Sequence, residues 1–493
     1  MSSALAILAS TFALALGLGL AARGRRTMTL QEWSVGSRGF GGVFVFLLMA
    51  GEIYTTFTFL GGSGWAYGRG APAFYILCYG TVAYALSYFL LPAIWRYATE
   101  RKLLSQADLF ASAYESRAVG VLVGLVSVVA LVPYLVLQLK GLGIIVSEAS
   151  YGRVSATAAV WGSSVALMVY VVVSGVRGSA WTAALKDGLI LVVAVALGLY
   201  FPAHYDGGLH AMFADIAARH PGFLTLPARG QSAWWFASTV VLTALGFYMW
   251  PHSFSSTYTA RDESVFRKNA IVLPLYQLVL LFVFFAGFAA IARVPGLTGS
   301  QADLSLLRLA KMTFGPAMVG LIGAAGLLTA LVPGSMLLLS GATVIAQNVI
   351  RPMRPALSDH AVGIIARVFV PVIAVVAVVL ALSDNAGIVN LLLIAYSLVT
   401  QLMPALLCGL ARKRWRWPTA TGAFCGILAG ELMVAWLTGA RSNLAHLAPN
   451  APGAVQDLNV GVVALAVNVV VLVSVSLASR ARVRTPEPAA VAP

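Results

Sequence analysis

Charge is what this chain has least of. Only 10% of its 493 residues are Asp, Glu, Lys or Arg, against 60% hydrophobic residues. A soluble domain carries about 25% charged residues, so a water-facing surface of ordinary polarity is excluded. Cysteine is scarce as well. Cys78, Cys408 and Cys425 stand apart in apolar stretches, without pairing or metal-ligand spacing, so no disulfide framework or thiolate metal site is expected. They are read as buried, inert thiols. The six histidines are scattered, and His204, His210, His220 and His446 fall between the apolar runs. No His-Glu-x-x-His helix and no Gly-x-Ser-x-Gly elbow occurs, so an enzyme is not expected.

What is present is a series of apolar runs, with a mean hydropathy of +0.88. A run of about 20 apolar residues crosses the hydrocarbon core as a helix, so the chain is read as an all-α polytopic membrane protein. The expected spans are 4–22, 40–67, 72–95, 119–146, 156–175, 181–202, 233–256, 269–293, 314–346, 364–383, 387–410, 418–439 and 459–479, thirteen in all. Arg23, Arg25 and Arg26 follow the first run instead of preceding it, so it is a span with its N-terminus outside and not a signal peptide. Thirteen spans then leave the C-terminus in the cytoplasm. Of the 32 Lys and Arg, 22 fall with the cytoplasmic segments and eight with the longer external ones. The net charge of +15 therefore follows the positive-inside rule and gives no reason to expect a nucleic-acid partner. The loop after the sixth span is amphipathic around residues 209–218 and is expected to hold a surface helix. The Pro/Ala-rich tail, 480–493, is too short for a signalling domain.

One stretch, 50–70, carries Glu52, Tyr54, Thr55, Thr56, Thr58 and a glycine cluster inside the second span. Loose backbone at membrane depth must line a cavity or be buried in protein. An intramembrane carboxylate marks a functional site by default. A hydroxyl can bond back to its own helix, which is the bland reading for any single threonine. The seventh span is interrupted in the same way, at Trp250-Pro251-His252, because proline removes a backbone donor and breaks the turn before it. His252 is either a ligand contact or a satisfied structural histidine. Gln138 and Lys140 lie in the fourth span, where Lys140 snorkels to an interface or joins the site. Lys186-Asp187 opens the sixth. Interrupted spans five apart point to an inverted repeat, with 40–202 and 233–410 as the halves and the spans at 4–22 and 418–479 peripheral. The whole chain, 1–493, is one transporter-like unit on this reading.

These residues resemble the sodium:solute symporter family. The matching pieces are the Thr-Phe-Leu-Gly-Gly-Ser-Gly-x-Ala-Tyr run at 58–67, Pro133-Tyr134 with Gln138-Leu-Lys140, and Gly175 through Trp181-Thr182. Ala395-Tyr396-Ser397 with Gln401, Pro404 and Gly409 completes the set. Trp250-Pro251-His252 and Lys186-Asp187 look most like the branch with bacterial monocarboxylate permeases. The resemblance implies a LeuT-type five-plus-five fold with substrate between the broken helices. It also implies a sodium site built from carbonyls of the first break and two adjacent hydroxyls on the ninth span. Aligning Gly334-Ser335 places Leu331 and Val332 at those hydroxyl positions, with no side-chain oxygen for a hard cation. The family's acid after Trp-Thr is Ala183, and Lys186 stands where a glutamine is usual.

The expected function is a symporter in the bacterial inner membrane that takes up a short monocarboxylate such as lactate, pyruvate or propionate. Tyr54, Thr55, Thr56, Gln138, Trp250, His252 and Gln401 are the expected substrate contacts. Glu52, Lys186, Asp187 and Thr329 are the expected ion-coupling residues, with a proton replacing sodium. The alternative is a sodium-coupled carrier of an amino acid or other zwitterion. Apart from the coupling ion, no metal or cofactor is expected. The expected partners are the small-molecule substrate and the lipid bilayer, with no obligatory protein partner.

Overall fold

The computed structural model describes residues 3–24, 28–383, 386–415, 418–439 and 444–483. From residue 484 onward the expected tail lies outside them. Among the described residues the regular structure is helical. Ten helices are long and apolar enough to cross a membrane, or eleven when the bent pair Ala233–Gly246 and Pro251–Tyr258 counts as one span.

The expectation of thirteen turns on two other places. Gly42–Gly51 is apolar but short, and the chain resumes as Gly62–Arg69 after an irregular turn. Ala156–Asp206 is a 51-residue helical stretch interrupted at Gly175, with φ 58° and ψ −161°. At 1.5 Å per residue it would extend about 76 Å, far more than a bilayer core of about 30 Å. The chain turns back at Gly175, because the Tyr170 hydroxyl donates to Thr182 Oγ1 at 2.7 Å although the two are twelve residues apart. A straight helix would separate them by about 18 Å. A side chain at position 175 would also strike Trp33, 2.8 Å away, so glycine serves both the positive φ and the close approach.

Pro316–Met353 forms the centre of the bundle. Its most apolar window is 94% buried, against 22% for Ser3–Arg23 and 28% for Val460–Arg480 at the rim. Small residues make this packing possible, since helices in lipid gain by close approach and not by escape from water. Gly320 lets the backbone at Ala4 come close, and Gly326 admits Phe59 and Ile145. At the rim, Gly422, Gly426 and Gly430 let Ala420–Gly439 lie directly on Leu472, Asn468 and Ser476 of Val460–Val483. Exposed apolar residues such as Val43, Phe89, Val192 and Val470 face outward, as a lipid-facing surface requires. Cys78 is among the exposed residues, and Cys408 and Cys425 are half-buried, so the expected burial of the thiols is corrected, although all three are free.

The expected surface helix forms as Leu209–Arg219, anchored by buried Met212 and Ile216. Two short helices escaped the hydropathy reading, Leu30–Val35 and Gln106–Tyr114. The second starts at a capping box in which Ser105 and Asp108 satisfy each other's backbone amides.

Candidate functional site

The first break leaves backbone carbonyls without helical partners. Gly42–Gly51 ends, and the turns that follow bond Glu52 N to Met49 O and Ile53 N to Ala50 O. A π turn over Phe57–Gly61 then restarts the helix. Thr58 Oγ1 donates to Ile53 O and Thr55 O, and it accepts from Thr55 N. The carbonyls of Gly51 and Tyr54 are taken by another span. Lys186 Nζ donates to Gly51 O at 3.1 Å and Tyr54 O at 3.2 Å, and it pairs with Asp187 Oδ1 at 2.9 Å. An ammonium has three donors, and here all three have oxygen partners. The lysine is fully buried. Gly51 faces both Lys186 Nζ and Val332 Cγ1, each 3.7 Å from where a Cβ would stand, so the ammonium and Val332 border the same glycine.

Two carboxylates accompany this one cation. Asp187 Oδ1 also accepts from the Tyr276 hydroxyl at 3.2 Å, while Asp187 Oδ2 has no partner. Glu52 turns to the second broken span, where Ser253 Oγ donates to it at 2.7 Å and Ser256 Oγ at 3.1 Å. Those serines are three residues apart on Pro251–Tyr258 and therefore share a face. Glu52 thus ties the two breaks together.

The second break runs from Gly246 to Pro251, with a bend of 46° between its halves. Proline opens the second half at a first-turn position, where its missing N–H is no loss. Trp250 and His252 lie against Tyr134, with ring centroids at 4.9 and 5.7 Å, and Trp250 meets Tyr396 at 5.3 Å. Gln138 is one turn from Tyr134 on the same helix face, and its Oε1 accepts from Thr56 N at 3.4 Å. Four buried polar atoms here make no hydrogen bond: Gln138 Nε2, Thr56 Oγ1, Trp250 Nε1 and His252 Nδ1. Buried polar atoms are normally paired, so a cluster of unpaired ones is set for a ligand. Gly141 lets this happen, because a Cβ there would stand 1.7 Å from Thr56 Cγ2.

Thr56, Gln138, Trp250 and His252 therefore meet, and Glu52, Lys186 and Asp187 gather at the adjoining break. Most of the remaining expected residues are turned elsewhere. Tyr54 gives its carbonyl to Lys186, but its hydroxyl donates to Tyr276 O at 2.9 Å. Thr55 Oγ1 accepts from Phe57 N at 3.1 Å, but it also meets the Tyr134 hydroxyl and so stays at the edge of the cluster. Gln401 is fully buried, and its amide donates to Ser397 O and Gly461 O while Asn468 bonds its carbonyls. That arrangement joins the eleventh expected span to the last one. Thr329 Oγ1 bonds back to Gly326 O at 2.6 Å, the bland option for a threonine in a helix. Lys140 Nζ donates to Ala386 O at 3.0 Å, in a cleft of about 380 Å³ shared with Asp303 and Ile388, so it lies apart from the breaks. Sequence reasoning missed Tyr276, Ser253 and Ser256. The serines could have been noticed in the His-Ser-Phe-Ser-Ser run, but an isolated tyrosine in an apolar helix gives no signal.

Two broken spans face each other across a cluster of neutral donors, with a buried ion pair at one of the breaks. That arrangement is a secondary transporter's, built to hold a small solute amid the membrane. The chain belongs to the sodium:solute symporter family, whose model matches residues 33–430. It is 57% identical over 468 residues to the uncharacterized symporter YhjB of Bacillus subtilis, covering 95% of both chains. It is 28% identical over 476 residues to a monocarboxylate transport permease protein of Rhizobium johnstonii, covering 94% of this chain and 95% of that one. Among solved structures, a Na+-coupled sialic acid symporter in a substrate-bound outward-open state superposes with a TM-score of 0.78. That match covers 97% of this chain and 98% of the other at 15% identity, and it establishes a shared LeuT-type fold. The protein is a multi-pass membrane symporter, and its family and neighbours are transporters, not enzymes.

Proposed function

We propose that this symporter takes up a short monocarboxylate, such as lactate, pyruvate or propionate, together with a proton. The observation that carries the coupling is Lys186. Its ammonium bonds the free carbonyls of the first break, and the aligned position Val332, which has no side-chain oxygen, borders the same Gly51. A tethered cation at that position supplies the charge that a bound sodium ion would otherwise bring. Its proton can leave and return where a fixed ion cannot, because an amine buried in a low-dielectric site is far easier to neutralise than one in water. Glu52, bonded to Ser253 and Ser256, carries the charge state of the first break to the second. The proton is the coupling ion, and neither a resident metal nor another cofactor enters the proposal.

The substrate reading rests on Gln138 Nε2, Thr56 Oγ1 and His252 Nδ1, which are neutral, buried and unpaired. A compact carboxylate fits such a set, with Tyr134 and Trp250 as the wall for its short apolar part. Likeness to the Rhizobium permease, by its printed name, supports the same class. The transport unit has thirteen crossings, with repeats at 40–202 and 233–410 and flanking spans at 4–22 and 418–479. In the bacterial inner membrane its N-terminus is outside and its tail, from residue 480, is cytoplasmic. The partners are substrate and lipid, and no other protein is required.

One observation favours the alternative of a sodium-coupled zwitterion carrier. Glu52 and Asp187 together outnumber Lys186, and Asp187 Oδ2 is free to meet another cation. Proteoliposomes separate the two readings. Labelled propionate should accumulate against an alkaline interior in sodium-free buffer, and a protonophore should abolish the accumulation. Accumulation of labelled proline or alanine that needs a sodium gradient would replace this reading with the alternative.

A further inference from the structure

We propose that Gln106, on the short helix Gln106–Tyr114, is a positioning residue for the second break and holds Trp250 and His252 at the substrate site. This inference rests on the proposed site at that break, but not on the identity of the coupling ion. Met249 O is the carbonyl at issue. In an unbroken helix it would accept from Ser253 N, but that amide donates to Trp250 O instead. Met249 is fully buried, so water cannot replace the lost bond. Gln106 Nε2 does so, donating to Met249 O at 2.6 Å. Gln106 is itself fixed, because Ser127 Oγ donates to its Oε1 at 2.8 Å. Both ends of the amide are therefore used, and its orientation is determined.

The helix that carries Gln106 is anchored at several points. Ser105 Oγ donates to Asn348 Oδ1 and Asn348 Nδ2 donates to Asp108 Oδ1, each at 2.6 Å. Asn348 lies in a π turn, Ile345–Ile350, at the end of the central helix. The Tyr258 hydroxyl donates to Ser105 O at 3.3 Å from the far end of the second broken span. Tyr114 OH donates to Ala405 O at 2.7 Å. A helix that does not cross the membrane thus joins the central helix to both ends of Pro251–Tyr258. Among the described residues, Gln106 is its one side-chain bond to the break itself. Trp250 and His252, one and three residues beyond Met249, are placed by where that carbonyl is held.

The test needs a readout that general loss of stability would not move. In a background with Cys78, Cys408 and Cys425 replaced by serine, a single Ser255→Cys reports access to the second half-helix with a water-soluble maleimide. Ser255 is buried, so labelling of the parent is slow. Gln106→Leu should speed labelling about tenfold, the factor for one buried hydrogen bond. It should also raise the KM for labelled propionate by a similar factor with little change in the maximal rate. Ser127→Ala, which only frees the amide to turn, should act in the same direction by about threefold and add nothing to Gln106→Leu. It serves if the leucine variant does not fold. Unchanged labelling in the folded variants would overturn the proposal, as would equal effects in the double and summed single variants. The labelling requires no transported solute, so its failure is distinct from a failure of the monocarboxylate reading.

Discussion

The two breaks solve one problem in different ways. Each frees backbone carbonyls at a depth where water is scarce. At the first, the carbonyls of Gly51 and Tyr54 are met by a charged side chain, Lys186. At the second, Met249 O is met by a neutral amide, Gln106. The first break is thus bordered by one ammonium and two carboxylates, with Thr56 and Gln138 adding unpaired neutral groups, and the second by aromatic rings with the unpaired Trp250 and His252 nitrogens. Under the proposed function, the charge that changes during transport is kept at the first break, and the surface that grips a solute is shared between the two. Glu52, which belongs to the first and bonds the serines of the second, is the link.

The largest effect that would break this contrast is at Lys186. Lys186→Met leaves Asp187 as an uncompensated buried charge and two carbonyls without donors, which costs about 3–5 kcal/mol. Proton-driven uptake should be lost. Retained uptake in proteoliposomes would mean that the first break does not carry the coupling. Close approach is tested next. Gly141→Ala would press a methyl on Thr56, and Gly246→Ala would press one on Thr400 Oγ1, 2.2 Å away. Each should cut uptake at least tenfold, but only Gly141→Ala should weaken thermal stabilisation by propionate, because only Thr56 is among the unpaired donors. Equal weakening by both would blur the division between them.

A smaller change is expected at Gln138. Gln138→Leu removes the amide that faces the cluster and the acceptor for Thr56 N, and it should raise the KM about tenfold, the worth of roughly one buried hydrogen bond. The pH dependence of uptake should be unchanged, since the bond this residue makes is to Thr56 N and not to Glu52, Lys186 or Asp187. A shifted pH profile would contradict the separation.

The smallest effect lies outside both breaks, and it serves as a control for pH experiments. Asp303 sits in the loop before the central helix, where burial pushes its carboxyl up to about 7 while the Ile388 amide and Lys140 pull it back. The fold therefore favours the protonated form. Its contribution to stability is full below the ordinary carboxylate range near 3.8 and is lost as the pH rises through about 7. Asp303→Asn keeps an acceptor for Ile388 N without the charge. It should raise the melting temperature by about 2–4 °C at pH 8, by less at pH 5 and not at all below the ordinary carboxylate range. A rise of equal size at pH 8 and pH 5 would show that Asp303 does not titrate there.

The membrane class, most span positions and both breaks were legible in the sequence, because apolar run length and misplaced polar residues are direct signals. Lys186 was legible too, as a charge inside an apolar run. The count was harder, since Gly175 turns a stretch that hydropathy alone could join. Direction was hardest. Tyr54 and Gln401 have the right chemistry and lie near the right elements, but one rotamer or one helix face commits each to a structural bond. Thr329 shows the limit plainly: its hydroxyl lies one turn from the aligned positions and is used by its own helix. Gln106 could not have been found, because it reaches the break from a helix 143 residues earlier.

In the proposed coupling, the Lys186 ammonium takes the place of a coupling sodium ion at the first break. The most direct measurement is the initial rate of labelled propionate uptake into proteoliposomes at a fixed inward proton gradient, with sodium varied from zero to 100 mM and replaced by choline. A flat line is expected across the whole range. A rate that starts near zero and rises to saturation with sodium would contradict it.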